Sequence, residues 1–157
     1  MKIFVLAILA TLCLSAAASA QKLGGVWRLT EVRTTGTNGT TKQVTQPSMY
    51  LFTKSHYSII YVSSDAPRDT ADADTMTADQ LRKVFVESFI ANAGTYEMKA
   101  GKLTVTPLVA KSPGYMQAGT WSRYAVKISG NMMTLTTEAS NSGPSANPTT
   151  FTLTRVE

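Results

Sequence analysis

Gly24-Gly25-Val26-Trp27-Arg28-Leu29 opens the first β-like run of this chain and sets a Trp just inside a glycine corner. The last run, Phe151-Thr152-Leu153-Thr154-Arg155-Val156, ends with a basic residue placed to lie across that Trp. A small antiparallel barrel can close its base in this way. The indole fills the taper and the guanidinium stacks on its face, worth about 1–2 kcal/mol once desolvated. Gly25, Trp27 and Arg155 are therefore expected to seal one end of a barrel.

Upstream of this anchor the chain reads as an export signal. Lys2 supplies the positive start, Ile3 to Leu14 an apolar run, and Ala18-Ser19-Ala20 a small-residue cleavage site. The apolar run is shorter than the roughly 20 residues of a membrane-spanning helix, and no later run exceeds it. No stable membrane anchor is expected. Leu12-Cys13 carries a bulky residue where a lipoprotein signal needs a small one. Residues 1–20 are read as a signal peptide cleaved near Ala20, and 21–157 as one domain, exported to a periplasm or secreted. Cys13 is the sole cysteine of the 157 residues, so the exported domain relies on its own core and not on disulfides. The net charge of +5 is scattered, with only Arg82-Lys83 adjacent. No basic stripe suggests nucleic acid.

Outward from the anchor, β-rich runs follow in series. Val26 to Thr34 ends in a Gly/Asn/Thr turn; Ser48 to Thr53 and His56 to Val62 flank a short polar break and read as a hairpin. Ser63 to Thr75 is polar loop. Thr77-Ala78-Asp79-Gln80 has capping-box spacing, and Leu81, Val84, Phe85 and Phe89 recur at helical spacing up to a Gly94 cap. Strands return at Gly94 to Met98, Leu103 to Val109, Gly119 to Ile128, Met132 to Thr137 and Phe151 to Val156, with a loop from Ala139 to Pro148. The expectation is an all-β fold: an eight-stranded antiparallel up-and-down barrel with one helix inserted before the fourth strand. Such a barrel is just wide enough for side chains or one small ligand. An immunoglobulin-like sandwich would connect its strands differently and carry a Cys…Trp…Cys core.

The ordered fragments Gly25-x-Trp27-Arg28-Leu29, Tyr50-Leu51-Phe52-Thr53, His56-Tyr57-Ser58, Ala91-x-x-Gly94-Thr95-Tyr96, Gly101-Lys102-Leu103, Arg123-Tyr124-x-Val126, Leu135-Thr136 and Thr154-Arg155 resemble the bacterial lipocalin-like domain family. The resemblance implies a calycin-type β-barrel, and many members of that family have no known function. Typical lipocalins carry their helix after the last barrel strand, whereas here it precedes the fourth.

If Trp27 points inward, a period of two carries Leu29 and Glu31 to the same face. Trp121, Arg123 and Ala125 form the inward set expected of the sixth strand. Tyr50, Phe52, Tyr57, Ile59, Tyr61, Tyr96 and Met98 are candidate wall residues; each could equally serve as plain core. An inward Arg123 needs a carboxylate, either Glu31 or one on a ligand; alternatively it faces solvent or forms a structural ion pair. Candidate ligand-binding residues are thus Glu31, Tyr50, Phe52, Tyr57, Tyr61, Tyr96, Met98, Trp121 and Arg123. His56, the only histidine, sits beside a hairpin turn with no partner for a catalytic set, so no catalytic residue is assigned. The aspartates from Asp65 to Asp79 lack an EF-hand pattern, and no metal or cofactor is expected.

Three function classes stay open. A carrier of a small hydrophobic or amphipathic molecule predicts a continuous interior cavity. An isomerase- or cyclase-like barrel enzyme predicts His56 or Glu31 facing that cavity. A protein-interaction or inhibitor module predicts a filled core and an exposed apolar patch.

Overall fold

A computed structural model describes residues 23–157, so the segment 1–20 read as a signal peptide, and Cys13 within it, lie outside the described residues. The elements are β1 (Gly25–Thr34), β2 (Thr40–Gln43), β3 (Ser48–Phe52), β4 (His56–Val62), α1 (Ala78–Leu81), β5 (Phe89–Lys99), β6 (Lys102–Ala110), β7 (Ser122–Ser129), β8 (Met132–Ser140), β9 (Gly143–Pro144) and β10 (Thr149–Arg155). Single 3₁₀ turns occur at Ala73–Thr75 and Pro113–Met116. The chain is all-β. Eight strands, β1-β3-β4-β5-β6-β7-β8-β10, pair antiparallel in that order, and β10 closes on β1. Closure leaves no edge strand in the main ring. β2 pairs with the far end of β1, and β9 folds onto β8 inside what the sequence suggested was a loop.

Alternation places one face of each strand in the core. Trp27 and Leu29 of β1, Tyr50 and Phe52 of β3, Tyr57 and Ile59 of β4, Tyr96 of β5, Leu103 and Val105 of β6, Met133 and Leu135 of β8 and Leu153 of β10 form one buried cluster, with Leu23 beneath them. Three irregularities re-aim side chains. The β1–β10 register slips between Leu29 and Glu31. The β5–β6 register slips between Ala93 and Gly94, leaving Leu108 as the extra residue of β6, and β8 carries an extra residue at Glu138. Each is a β-bulge, which bends its strand and reverses the alternation beyond it.

The helix is shorter than its periodicity suggests. The capping box forms as read: the Thr77 hydroxyl accepts from the Gln80 N–H, and the Gln80 side chain accepts from the Thr77 N–H. Beyond Leu81 the backbone widens over Arg82–Glu87 into a π-type turn, closed by Ser88 N–H donating to the Lys83 carbonyl at 3.1 Å. The Ser88 hydroxyl also donates to Lys83 and Val84 carbonyls at 2.7 and 3.0 Å, which ends the helix. Phe89 then begins β5, paired with Val62. Gly94 is no helix cap. It sits in β5 opposite the β6 bulge, where a Cβ would collide with the Thr106 carbonyl oxygen.

Candidate functional site

The barrel has two unlike ends. At the base, Gly25 adopts φ +127, and a Cβ there would run into Glu157 and the Arg155 side chain. This is the left-handed half of backbone space, where Gly costs nothing and other residues are strained. Trp27 is fully buried and its Nε1 donates to the Leu23 carbonyl at 2.9 Å. The Arg155 Cζ lies 4.1 Å from the centre of the Trp27 rings, and its Nη1 donates to the Gly24 carbonyl at 2.6 Å. Val26 and Glu157 complete the closure through a 3.1 Å backbone bond. Above this plug, Phe52 and Tyr96 meet edge to face at 5.7 Å, and the Tyr96 hydroxyl donates to the Thr53 carbonyl at 2.6 Å. The lower half of the barrel is solid.

The upper half holds a cavity of about 150 Å³. Its apolar walls are Ile59, Ile90, Val105, Pro107, Leu135 and Phe151. Its polar groups are the hydroxyls of Tyr50, Tyr61, Tyr115, Tyr124 and Ser122 and the Asn92 amide. No charged side chain lines it. Tyr50 and Tyr61 stack at 6.1 Å, and Tyr124 meets Phe151 edge to face at 6.5 Å. Tyr115 projects from the 3₁₀ turn between β6 and β7 and stands half exposed at the opening. Lys111 ties the rim together by donating to the Val86 carbonyl at 2.8 Å and to the Phe89 carbonyl.

Burial holds these phenols in their neutral form. It raises Tyr50 well above the usual tyrosine value, with the neighbouring Tyr61 and Tyr124 phenols adding to the shift. Tyr124 is pushed up to about 12 by burial and then by Tyr115, partly offset by a hydrogen bond with Ser122. Tyr57 is raised by burial and by Tyr124 and Tyr115 in turn. Its hydroxyl is buried and has no hydrogen-bond partner. A buried hydroxyl in that state is costly, and a polar ligand atom or a water would relieve it.

Of the expected wall residues, Tyr50, Ile59 and Tyr61 line the cavity. Phe52, Tyr57, Tyr96 and Met98 belong to the packed core beneath it. Four expected inward residues, Glu31, Trp121, Arg123 and Ala125, face outward. The bulge at Thr30 turns Glu31 out of the barrel, where its Oε2 accepts from Gln43 of β2 at 2.8 Å, and Val32 takes the inward place. β7 has the opposite phase from the one expected: Tyr124, Val126 and Ile128 pack on the core. Trp121 and Arg123 instead share an outer groove with Thr95, Glu97, Thr104 and Thr106. There the Arg123 guanidinium lies 5.2 Å from the Trp121 rings and 3.9 Å from Glu138, which also holds Lys102 at 2.9 Å. Arg123 therefore has its carboxylate outside, from Glu138 and not from Glu31.

The acid–base set considered for catalysis is dispersed. His56 is exposed at the base hairpin, its Nδ1 3.0 Å from the Ser55 hydroxyl, while Glu31 and Arg123 lie on the outer wall. Among the described residues, no three His, Cys, Asp or Glu side chains gather as a metal set. Asp65 pairs with Lys42 at 2.8 Å, and Asp69 and Asp72 accept from nearby backbone N–H groups. Sequence reasoning missed Asn92, Tyr115, Ser122 and Tyr124. For Tyr124 a signal existed, since Tyr124-x-Val126-x-Ile128 alternates as an inward face. Tyr115, in a Pro-Gly turn, gave none.

No known family's sequence profile matches this chain, and no curated protein matches it. Among solved structures it is similar to an uncharacterized protein from Bacteroides eggerthii DSM 20697, at a TM-score of 0.47 and 15% identity, over 84% of this chain and 98% of that one.

Proposed function

We propose that this protein is an exported, lipocalin-like carrier that binds one small, neutral, hydrophobic or amphipathic molecule in the upper half of its barrel. The observation that carries this reading is the uncharged cavity above a solid base, walled by aliphatic and aromatic side chains with phenols, a serine hydroxyl and an amide among them. Apolar walls supply the driving force and a few placed polar groups supply orientation. A volume on the order of 150 Å³ suits a single aromatic ring with short substituents. Phenols held neutral by burial offer donors without charge, so an uncharged guest is preferred over an anion. The signal-like residues 1–20 support export.

Native mass spectrometry of the protein purified gently from its own host, beside a denatured control, tests the proposal. The expected result is a reproducible extra mass that is lost on denaturation, with extraction identifying the molecule. A clean apo mass together with no response to small aromatic probes would remove the carrier reading.

A further inference from the structure

A second site lies outside the barrel, on the far side of β4. Strand alternation sends Tyr57, Ile59 and Tyr61 inward, so Ile60 and Val62 point the other way. The segment between β4 and β5 folds back against them. Val62 and Val84 are 6% and 7% exposed there, in a cluster separate from the barrel core. Arg68 is held in the same cluster. Its Cζ lies 5.3 Å from the Phe85 ring centre and 4.9 Å from that of Phe89. Nη2 makes one long bond, 3.4 Å to the Val84 carbonyl, and Nε is buried with no hydrogen-bond partner.

The charge has no counter-ion among the described residues: no carboxylate lies within 4.0 Å of Arg68. The nearby acids are engaged elsewhere: Asp65 with Lys42 at 2.8 Å, Glu87 with Arg82 at 3.0 Å, and Asp69 with the Ala71 N–H at 2.9 Å. Two aromatic faces offset part of the cost of desolvating a guanidinium, but they leave its N–H donors unsatisfied. Beside Arg68 runs a groove of about 380 Å³ whose wall is mainly apolar: Pro47, Met49, Ile60, Val62 and Phe89. Met49 is an exposed large apolar side chain there.

We propose that this groove binds a medium-chain monocarboxylate, with the carboxylate on Arg68 and the alkyl tail along Met49, Ile60 and Val62. The planar fork of a guanidinium matches the two oxygens of a carboxylate, and its packing against two rings means that little ordering is needed on binding. The occupant differs from that of the barrel, where no cation lines the wall. The two linings have only Tyr61 in common.

Adjacent residues on β4 report on the two sites separately, because the Ile59 methyls line the barrel cavity and the Ile60 methyls line the groove. Octanoate is titrated into methyl-labelled protein, beside 1-octanol and acetate. The expected result is shifts at Met49, Ile60 and Val62 with octanoate, tenfold or more weaker binding of 1-octanol, and none of acetate. R68Q should weaken octanoate at least tenfold and leave 1-octanol unchanged. I60E, on the outer face of a strand, sets a carboxylate in the groove and should abolish octanoate binding even if R68Q disturbs the segment. Equal affinity for octanoate and 1-octanol, octanoate binding indifferent to both variants, shifts confined to Ile59, Ile90 and Leu135, or no shift at all would each overturn the proposal.

Discussion

At the base of the barrel every polar group near Trp27 has a protein partner: the indole N–H on Leu23, the guanidinium on Gly24, Val26 on Glu157. At the mouth, the side chains are as aromatic but leave space, and Tyr57, in the core beneath the cavity, has a buried hydroxyl without a partner. The same eight strands thus end in a plug on one side and a cup on the other. The base is built by side chains from both chain ends of the barrel, β1 and β10, which must meet for the ring to close. The mouth is built by bulges and by the long connections around it, which can vary without opening the ring. Stability is expected to reside at the base and binding at the mouth.

The strongest way to break this contrast is Trp27→Ala. Removing a fully buried indole should cost about 3–5 kcal/mol, read as a lower midpoint in urea denaturation with the slope unchanged. Next is Gly25→Ala, which adds a Cβ against Glu157 and Arg155 at a left-handed φ; a loss of about 1–3 kcal/mol is expected in the same assay. Arg155→Met keeps an apolar cover on Trp27 but loses the stacked charge and the bond to Gly24, for about 1–2 kcal/mol.

Alkali should act gradually and at the mouth. Burial raises the Tyr50 and Tyr124 values above the ordinary 10.0, Tyr124 to about 12, so the native state favours the protonated phenols. Their contribution is present in full below pH 10 and is lost as the pH rises through the folded values. Denaturation midpoints measured across this range should fall from about pH 10 upward. The smallest effect on stability is expected from Tyr115→Ala, within about 0.5 kcal/mol because the side chain is half exposed, although guest binding should weaken. If Tyr115→Ala cost as much as Trp27→Ala, the division of labour between the ends would be wrong.

The base was legible in the sequence because its signals are local. Gly25-x-Trp27 and the terminal Arg155 sit at known places in their strands, and alternation from Trp27 to Leu29 and from Arg155 to Leu153 and Phe151 brings them together. The order of strands was legible for a similar reason: turn residues mark each hairpin. What failed was phase after a bulge. Glu31 follows the extra residue Thr30, and nothing in Leu29-Thr30-Glu31 shows that two residues of β1 will face one of β10. In β7 the error was a choice of register that put Trp121 and Arg123 inside; the alternation of Tyr124, Val126 and Ile128 against Arg123 and Lys127 carried the right answer. The helix was overextended because Phe89 suits both a helical face and a strand, and pairing with Val62 decided it. Arg68 and Tyr115 lie in polar segments whose course is set by tertiary contact, so their roles became visible only in three dimensions.

The most direct test of the central claim is a methyl NMR titration with indole as a neutral one-ring guest, comparing the two halves of the barrel in one experiment. The account predicts saturable shifts at Ile59, Ile90 and Leu135 around the cavity, with Leu29, Leu103 and Leu153 in the base unmoved. Saturable shifts at the base residues, or none at the cavity residues, would contradict it.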